Sequence, residues 1–304
     1  MAANNSQIPL FYVEQFSANI QLKLQQEGSV LRSCVMSGSH VGSQASPVDQ
    51  FGAVVANKVT GRYNTMGRTD APTDRRWVFP VDYDINQLLD TFDKLRLLID
   101  PTSSYVTNAV YALGRAMDVE ILNGIVGTNY VGNNGASTTT ISSGQTVGVN
   151  TGSTTKCGLN VAKLRAARKI LLANYAWDFN KVPEMYSAVN AAQHDSLLAE
   201  VQVISSDFNG GMPVLKEGMV QRFLGINFVH TELLTTGTDD QSNSASTIVP
   251  LWLKDGAYLG LWADTTTDIS QRKDLQGIPY QAYVYGTFGG TRLEEKKVVQ
   301  IWAV

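Results

Sequence analysis

The chain has 304 residues, 43% of them hydrophobic and 17% charged, with 24 Lys and Arg against 27 Asp and Glu for a formal charge of −3. This composition fits a globular chain of one elaborated domain or about two, and it excludes collagen, coiled coil, a disordered polymer and a nucleic-acid reader with a globally basic surface. No apolar run approaches the ~20 residues of a membrane-spanning helix, the first residues lack a secretory signal pattern, and two cysteines, Cys34 and Cys157, draw no disulfide framework.

Residues 1–50 are rich in Ser, Gln and Asn, with an apolar patch at 8–16 and a loose Ser/Gly segment at 33–46, and read as an extended arm. From Phe51 the residues turn β-like. Val54, Val55, Val59 and Tyr63 on one limb, Trp77, Phe79, Val81 and Tyr83 on the other, and a polar tip at 67–74 predict a long hairpin. Two strands alone are marginal in water, so this ribbon needs a surface to lie on. Residues 85–99 carry Leu88, Leu89, Phe92 and Leu95 at helical spacing and predict a shorter helix.

The clearest helix follows. Asp100 is a good N-cap, Pro101 suits the first position, and Val106, Val110, Leu113, Met117 and Ile121 recur at intervals of three and four as a core-facing stripe. Gly124 is the expected stop, giving a rod of about 23 residues and roughly 34 Å. Residues 127–158 are almost all Gly, Ser, Thr and Asn, a composition shared by linkers, surface hairpins and contact loops. Asn160 then caps a second helix bearing Val161, Leu164, Leu171 and Leu172, and Pro183 is expected to open a third that runs to about Glu200. Strands are predicted at 219–229, 248–253, 257–262, 278–288 and 296–304, with Gly289 and Gly290 as a hairpin turn between the last two.

Searches for chemistry return decoys. Residues 148–156 have glycines and a lysine at the wrong spacing for a phosphate loop, and 38–42 hold histidine where a nucleophile elbow needs serine. His40, His194 and His230 are far apart in sequence and neither cysteine has a partner two residues away. Asp82, Asp84, Asn86, Asp90 and Asp93 imitate a calcium loop, but Gln87 stands where a glycine must turn and Asp93 is too short for the closing glutamate. No catalytic, cofactor-binding or metal-binding residue is assigned, and no enzyme activity is expected.

Two basic clusters remain. No acidic residue occurs from 121 to 177, whereas Lys156, Lys163, Arg165, Arg168 and Lys169 do, so the helix after Asn160 is expected to be basic on its solvated face. Counterion release would let such a face bind a polyanion, but contact with another subunit through Arg165 and Arg168 is the favoured reading. The hairpin carries Arg62, Arg68, Arg75 and Arg76 with Asp70 and Asp74 at its tip. Guanidinium forks on a projecting ribbon suit an intersubunit clamp, with plain solubility of an edge ribbon as the competing reading.

Extended arm, projecting hairpin, spine helix, Gly-rich excursion, an α/β portion and terminal strands form an unusual order. With "DPTSSYVTNAVYALGRAMDVEILNGI", "KVPEMYSAVNAAQHDSLLAE" and "GMVQRFLGINFVHTELL" in sequence, it resembles the major capsid protein of tailed double-stranded DNA bacteriophages, the Hong Kong 97-like fold. The resemblance implies an α+β chain divided into an N-terminal arm (1–45), an extended hairpin loop (46–84), a peripheral domain with spine helix and excursion (85–158), an axial domain (159–256) and return strands of the peripheral domain (257–304). It implies self-assembly into hexamers and pentamers of an icosahedral virion shell, formed in the host cytoplasm around double-stranded DNA that is contacted without sequence preference. A portal is implied, a decoration protein is allowed, and no membrane is involved. The fifty residues before the hairpin are too few for a fused scaffolding domain, so scaffolding is expected as a separate protein. Some relatives join subunits through a Lys to Asn bond; Lys58 lies on the hairpin without a matching motif and reads as a surface lysine. The alternative is a β-rich phage fibre or adhesin subunit, but no repeat or heptad pattern supports it.

Overall fold

The computed structural model describes residues 25–42, 46–58, 61–62, 67–89, 102–177, 183–200, 203, 218–241 and 246–304. The patch at 8–16, Val59, Tyr63, Asp90, Phe92, Asp93, Leu95, Asp100 and Pro101 lie outside them. In chain order the main elements are β1 (Met36–Ser39), β2 (Ser46–Phe51), β3 (Thr73–Val78), β4 (Val81–Leu89), α1 (Thr102–Val126), β5 (Asn129–Val131), β6 (Ser137–Thr139), β7 (Thr146–Val147) and α2 (Val161–Ala173). They continue as β8 (Met185–Val189), α3 (Ala191–Leu198), β9 (Arg222–Phe223), β10 (Ile226–His230), β11 (Thr236–Gly237), β12 (Ser246–Leu253), β13 (Ala257–Gln271), β14 (Tyr280–Arg292) and β15 (Val298–Ala303).

Three sheets result. One runs β1-β13-β14-β4, the second β7-β15-β12-β8-β10-β9 with β11 beside β12, and the third β2-β3-β5-β6. Helix α1 lies along the first sheet, and its stripe does face the core: Leu113, Met117 and Ile121 are 1–2% exposed and pack with Leu259, Val284 and Phe288. Val110 is half-buried against the same cluster and Val106 half-buried near the start of the helix. A second core forms where α2 sets Leu164, Ala167 and Leu171 against Met185, Leu251 and Ile301. Trp252 belongs to the first core and donates its indole N–H to Cys34 O at 3.0 Å, which ties the second sheet to the segment before β1.

Glycines explain two departures from the expected boundaries. Helix α1 passes through Gly124 and ends at Val126, and β14 passes through Gly289 and Gly290 to Arg292. A Cβ on Gly124 would lie 2.5 Å from the carbonyl carbon of Gly290, and one on Gly290 would lie 2.3 Å from Glu120 O. These residues permit backbone-to-backbone contact of helix and strand, and they mark neither a helix stop nor a turn. The turn after β14 is at Leu293–Lys297 instead, and β15 then pairs with β12 and β7 in the second sheet, away from β14.

Residues 85–89 are strand, not helix, paired with β14 from Val81 and Phe288 to Leu89 and Tyr280. Exposed Asp82, Asp84, Asn86 and Leu88 alternate with the more buried Tyr83, Ile85, Gln87 and Leu89, a period of two. Pro183 precedes a strand, β8, and α3 begins only after Asn190, whose side chain accepts from Gln193 N. β8 is almost wholly buried, so it shows no alternation that would distinguish it from a helix. The segment 219–229 splits into β9 and β10 around Leu224 and Gly225, both at positive φ (+53° and +79°), as a tight hairpin turn requires.

The hairpin is shorter than its composition suggests. β2 pairs with β3 from Ser46 and Val78 to Phe51 and Thr73, the described residues between them (52–58, 61–62 and 67–72) lie outside strands, and Val81 and Tyr83 belong to β4 of another sheet. The surface it needs is the Gly-rich excursion: β5 pairs with β3, placing Tyr130 against Trp77, and β6 continues the sheet. Leu113→Asp would put a carboxylate into the first core at a cost of several kcal/mol, and the expected outcome is loss of soluble protein, read by fractionation after expression.

Candidate assembly surfaces

The hairpin root is locked by a buried polar knot. Arg76 on β3 is 8% exposed and lies between Asp74 and Glu295, at 3.6 and 3.5 Å. Glu295 also accepts from the Thr139 hydroxyl and sits 3.8 Å from Arg292 Nη2. Arg292, fully buried, donates to Ile125 O at 2.7 Å and Gly127 O at 3.2 Å, at the carbonyl end of α1 where a cation is favoured. Burial draws its pKa down to about 10, which still leaves it protonated at neutral pH. Asn129 donates to Gly124 O at 2.9 Å and accepts from the Thr291 hydroxyl at 3.0 Å. The knot joins hairpin, excursion, helix end and return strand. Trp77 adds an indole hydrogen bond to Gly132 O at 2.7 Å, and Phe79 meets the Tyr130 ring edge at 5.0 Å between centroids.

Beyond the root, the described side chains of the loop are exposed. Phe51, Val54 and Val55 are 80, 54 and 78% exposed. Arg62 is exposed, Arg68 pairs with Asp70 at 2.8 Å in the open, and Arg75 pairs across the strands with Asp49 at 2.6 Å. Of the four hairpin arginines read from the sequence as one clamp, three are therefore exposed, while Arg76 holds the hairpin to its own subunit.

The basic helix divides in the same way. Asn160 caps α2 by accepting from Lys163 N. Lys163 is not on a solvated face: it is 0% exposed, and its ammonium donates to Cys157 O, Gly158 O and Trp302 O at 2.6, 3.0 and 2.9 Å. Burial lowers its pKa, and these three carbonyls are what keep the charge tolerable there. Arg168 donates to Leu224 O at 2.9 Å, with its guanidinium 5.5 Å from the Trp177 ring centroid, so it serves the fold of its own subunit. Arg165 and Lys169 are exposed, as is Lys156.

The end of the arm is anchored to the spine. Asp118 of α1 accepts hydrogen bonds from residues 26–31, and Arg32 forms a two-pronged pair with Asp264, Nη1 to Oδ1 at 3.1 Å and Nη2 to Oδ2 at 2.7 Å. The guanidinium holds the Asp264 carboxyl below its usual range. Tyr83 donates to Glu120 at 2.7 Å, and burial, reinforced by that carboxylate, pushes its phenol up to about 12.

Asp82 and Asp84 project from a strand, Asp82 accepting from the Thr287 hydroxyl, and no group of His, Cys, Asp and Glu that could hold a metal occurs among the described residues. The histidines serve separate places: His40 bonds Tyr258 at 2.6 Å, His194 accepts from Val220 N, and His230 lies 3.0 Å from Glu232. Among the described residues no helix is long and apolar enough to cross a membrane.

The family model described as phage capsid protein matches residues 8–303. The chain belongs to the phage capsid protein family. It is a capsid protein, a structural subunit of the phage virion shell. Solved capsids share its fold at low identity. Against the capsid asymmetric unit of cyanophage Pam1 the TM-score is 0.74 at 10% identity, covering 99% of this chain and 98% of the other. The acid-stable capsid of Helicobacter pylori bacteriophage KHP30 gives 0.71 at 12%, covering 100% and 98%, and the capsid of cyanophage P-SCSP1u 0.70 at 13%, covering 97% and 94%. No curated protein matches the sequence.

Sequence reasoning missed Asp118, Arg292 and Glu295, the polar residues that hold this capsid subunit together. Asp118 had a signal, one of only two carboxylates on a largely apolar helix; Arg292 and Glu295, 156 or more residues from the groups they bind on α1 and the excursion, had none. Arg292→Met should destabilise the subunit by about 3 kcal/mol, since it leaves the buried carbonyls of Ile125 and Gly127 at the helix end without their donor, whereas Arg75→Ala, an exposed pair, should cost less than about 1 kcal/mol. Denaturant titration of unassembled subunits measures both. The Arg32 and Asp264 pair is half-exposed, so it is worth less than about 1 kcal/mol. A depressed carboxyl pKa means that this stability is present above about pH 4 and lost as pH falls through the lowered value. The stability gap between wild type and Arg32→Gln should close over that range.

Proposed function

We propose that the subunit assembles into hexamers and pentamers that close as an icosahedral shell around double-stranded DNA, in the host cytoplasm and without enzymatic activity. The observation that carries this reading is the hairpin loop: exposed apolar and cationic side chains stand away from their own subunit on a root fixed by the Arg76, Arg292 and Glu295 knot. Such a ribbon contributes nothing to its own core, and within a family of capsid proteins its place is a neighbouring subunit. On this reading 1–45 is an arm, 46–84 an extended loop, 85–158 with 257–304 a peripheral domain and 159–256 an axial domain. Arg62, Arg68, Asp70 and Arg75 serve contacts of the loop, and Arg165 a contact of the axial domain. A separate scaffolding protein, a portal and, in some shells, a decoration protein would complete the particle. The fibre or adhesin alternative gains nothing from the family match.

Negative-stain microscopy and light scattering of recombinant protein, with and without a scaffolding protein, should show capsomers or shells; a strictly monomeric, featureless species would overturn the reading. Since Arg76 belongs to the knot, the loop is tested with Arg62→Ala and Arg68→Ala together. Subunit stability should change by less than about 0.5 kcal/mol, while the concentration needed for assembly rises and shells dissociate at lower salt. Arg165→Glu should impair capsomer formation in a DNA-free system; normal empty shells that fail to retain DNA would assign this face to the genome instead.

A further inference from the structure

Asp118 is a carboxylate with 0% exposure on the side of α1 that meets the arm, and its hydrogen-bond donors all come from one short segment. Its Oδ1 accepts from Ser29 Oγ at 2.5 Å and Leu31 N at 3.1 Å, and its Oδ2 from Gln26 Nε2 at 2.6 Å and Val30 N at 3.0 Å. These are the donors of a chain wrapped around an anion, with no cation among them, and hydrogen bonds to a charged acceptor are the stronger kind. Gly28 makes the wrap with φ +71°, and its backbone lies so close to Gly114 that a Cβ there would fall 2.5 Å from Gly28 C. Along the helix from Asp118, Arg115 donates to Gln25 Oε1 and Gln26 O at 2.9 and 3.1 Å, and Gln25 donates to Asn108 at 3.0 Å. From Asn108 to Asp118 is about 15 Å of helix, so 25–31 is laid along the spine and its upstream end is set beside Asn108.

We infer that Asp118 is the positioning residue of the arm's root: its carboxylate orders residues 26–31 and thereby fixes the place and direction of the chain at Gln25, beside Asn108. The consequence, which rests on the shell-building reading, is that the arm meets a neighbouring copy from a root already ordered, so less conformational entropy is lost on contact.

Two kinds of variant test this on the full-length unassembled subunit. Asp118→Asn keeps the shape but turns an amide N–H₂ toward backbone and side-chain donors; Gln26→Leu with Ser29→Ala removes two donors from the arm side and leaves the helix untouched. Trypsin can cut after Lys23, upstream of the wrap, and after Arg32, just beyond it. Wild type should resist at Arg32, and both variants should be cut there at least tenfold faster, with faster amide exchange at Val30 and Leu31 and retained melting of the sheets. Unchanged exchange at Val30 and Leu31 in Asp118→Asn would overturn the assignment. If that variant does not fold, the arm-side pair decides by the same measurement. Assembly separates the two readings. A threshold raised severalfold by the clasp variants and by deletion of 1–24 supports the consequence. A loosened root with unchanged assembly removes it and leaves the local role of Asp118. Only when the Arg62 and Arg68 variant also assembles as wild type does the loop reading fail.

Discussion

The subunit depends on a helix backbone lying directly on a strand backbone. Gly124 meets the Gly290 to Thr291 peptide and Gly290 meets Glu120 O, so the carbonyl end of α1 is pressed against the last turn of β14 with no side chain between them. That proximity lets Arg292 reach Ile125 O and Gly127 O, and lets Asn129 bridge Gly124 O to Thr291. A Cβ at either glycine would separate the two elements by more than those hydrogen bonds can span. The knot, and with it the direction of the hairpin, follows from two missing side chains.

Around that contact the polar residues sort by destination. Arg76, Lys163, Arg168 and Arg292 all bind carbonyls or carboxylates of their own subunit, while Arg62, Arg68, Arg75 and Arg165 stay in solvent. One residue type thus does two kinds of task. Buried cations are expensive unless every donor has an acceptor, and the three carbonyls around Lys163 show how that demand is met without a carboxylate. Exposed cations carry no such demand: Arg68 and Arg75 keep their pairs with Asp70 and Asp49 in solvent and stay accessible.

Much of the architecture was legible because periodicity reports burial. The stripe of α1 shows on one line of text which face points inward, the Asn160 cap marks where a helix begins, and the apolar runs at 248–253 and 298–303 mark strands buried on both faces. Misreadings occurred where a short buried run followed a proline that also suits a helix start, or where glycine stood for something other than a turn. β8 is apolar on both faces and was indistinguishable from helix, and Gly124, Gly289 and Gly290 signal close approach, a three-dimensional fact with no local pattern. For the candidate site, composition located the exposed arginines of the loop but could not set Arg76 apart from its neighbour Arg75. Only pairing with β5 and the arrival of Glu295 from the far end of the chain distinguish them.

Glu295 stands on the turn between β14 and β15, and those two strands belong to different sheets. The loop's strand β3 runs on covalently into β4 of the first sheet and is tied through Arg76 to Glu295, from which β14 leads into the sheet under α1 and β15 into the sheet under α2, so a pull on the loop reaches both sheets. Pulled along their length, both strands resist in shear, many ladder hydrogen bonds at once, and neither is peeled from an edge, because β14 has β13 and β4 on its flanks and β15 has β12 and β7. A pull on the loop is thus shared by two sheets and borne along strands.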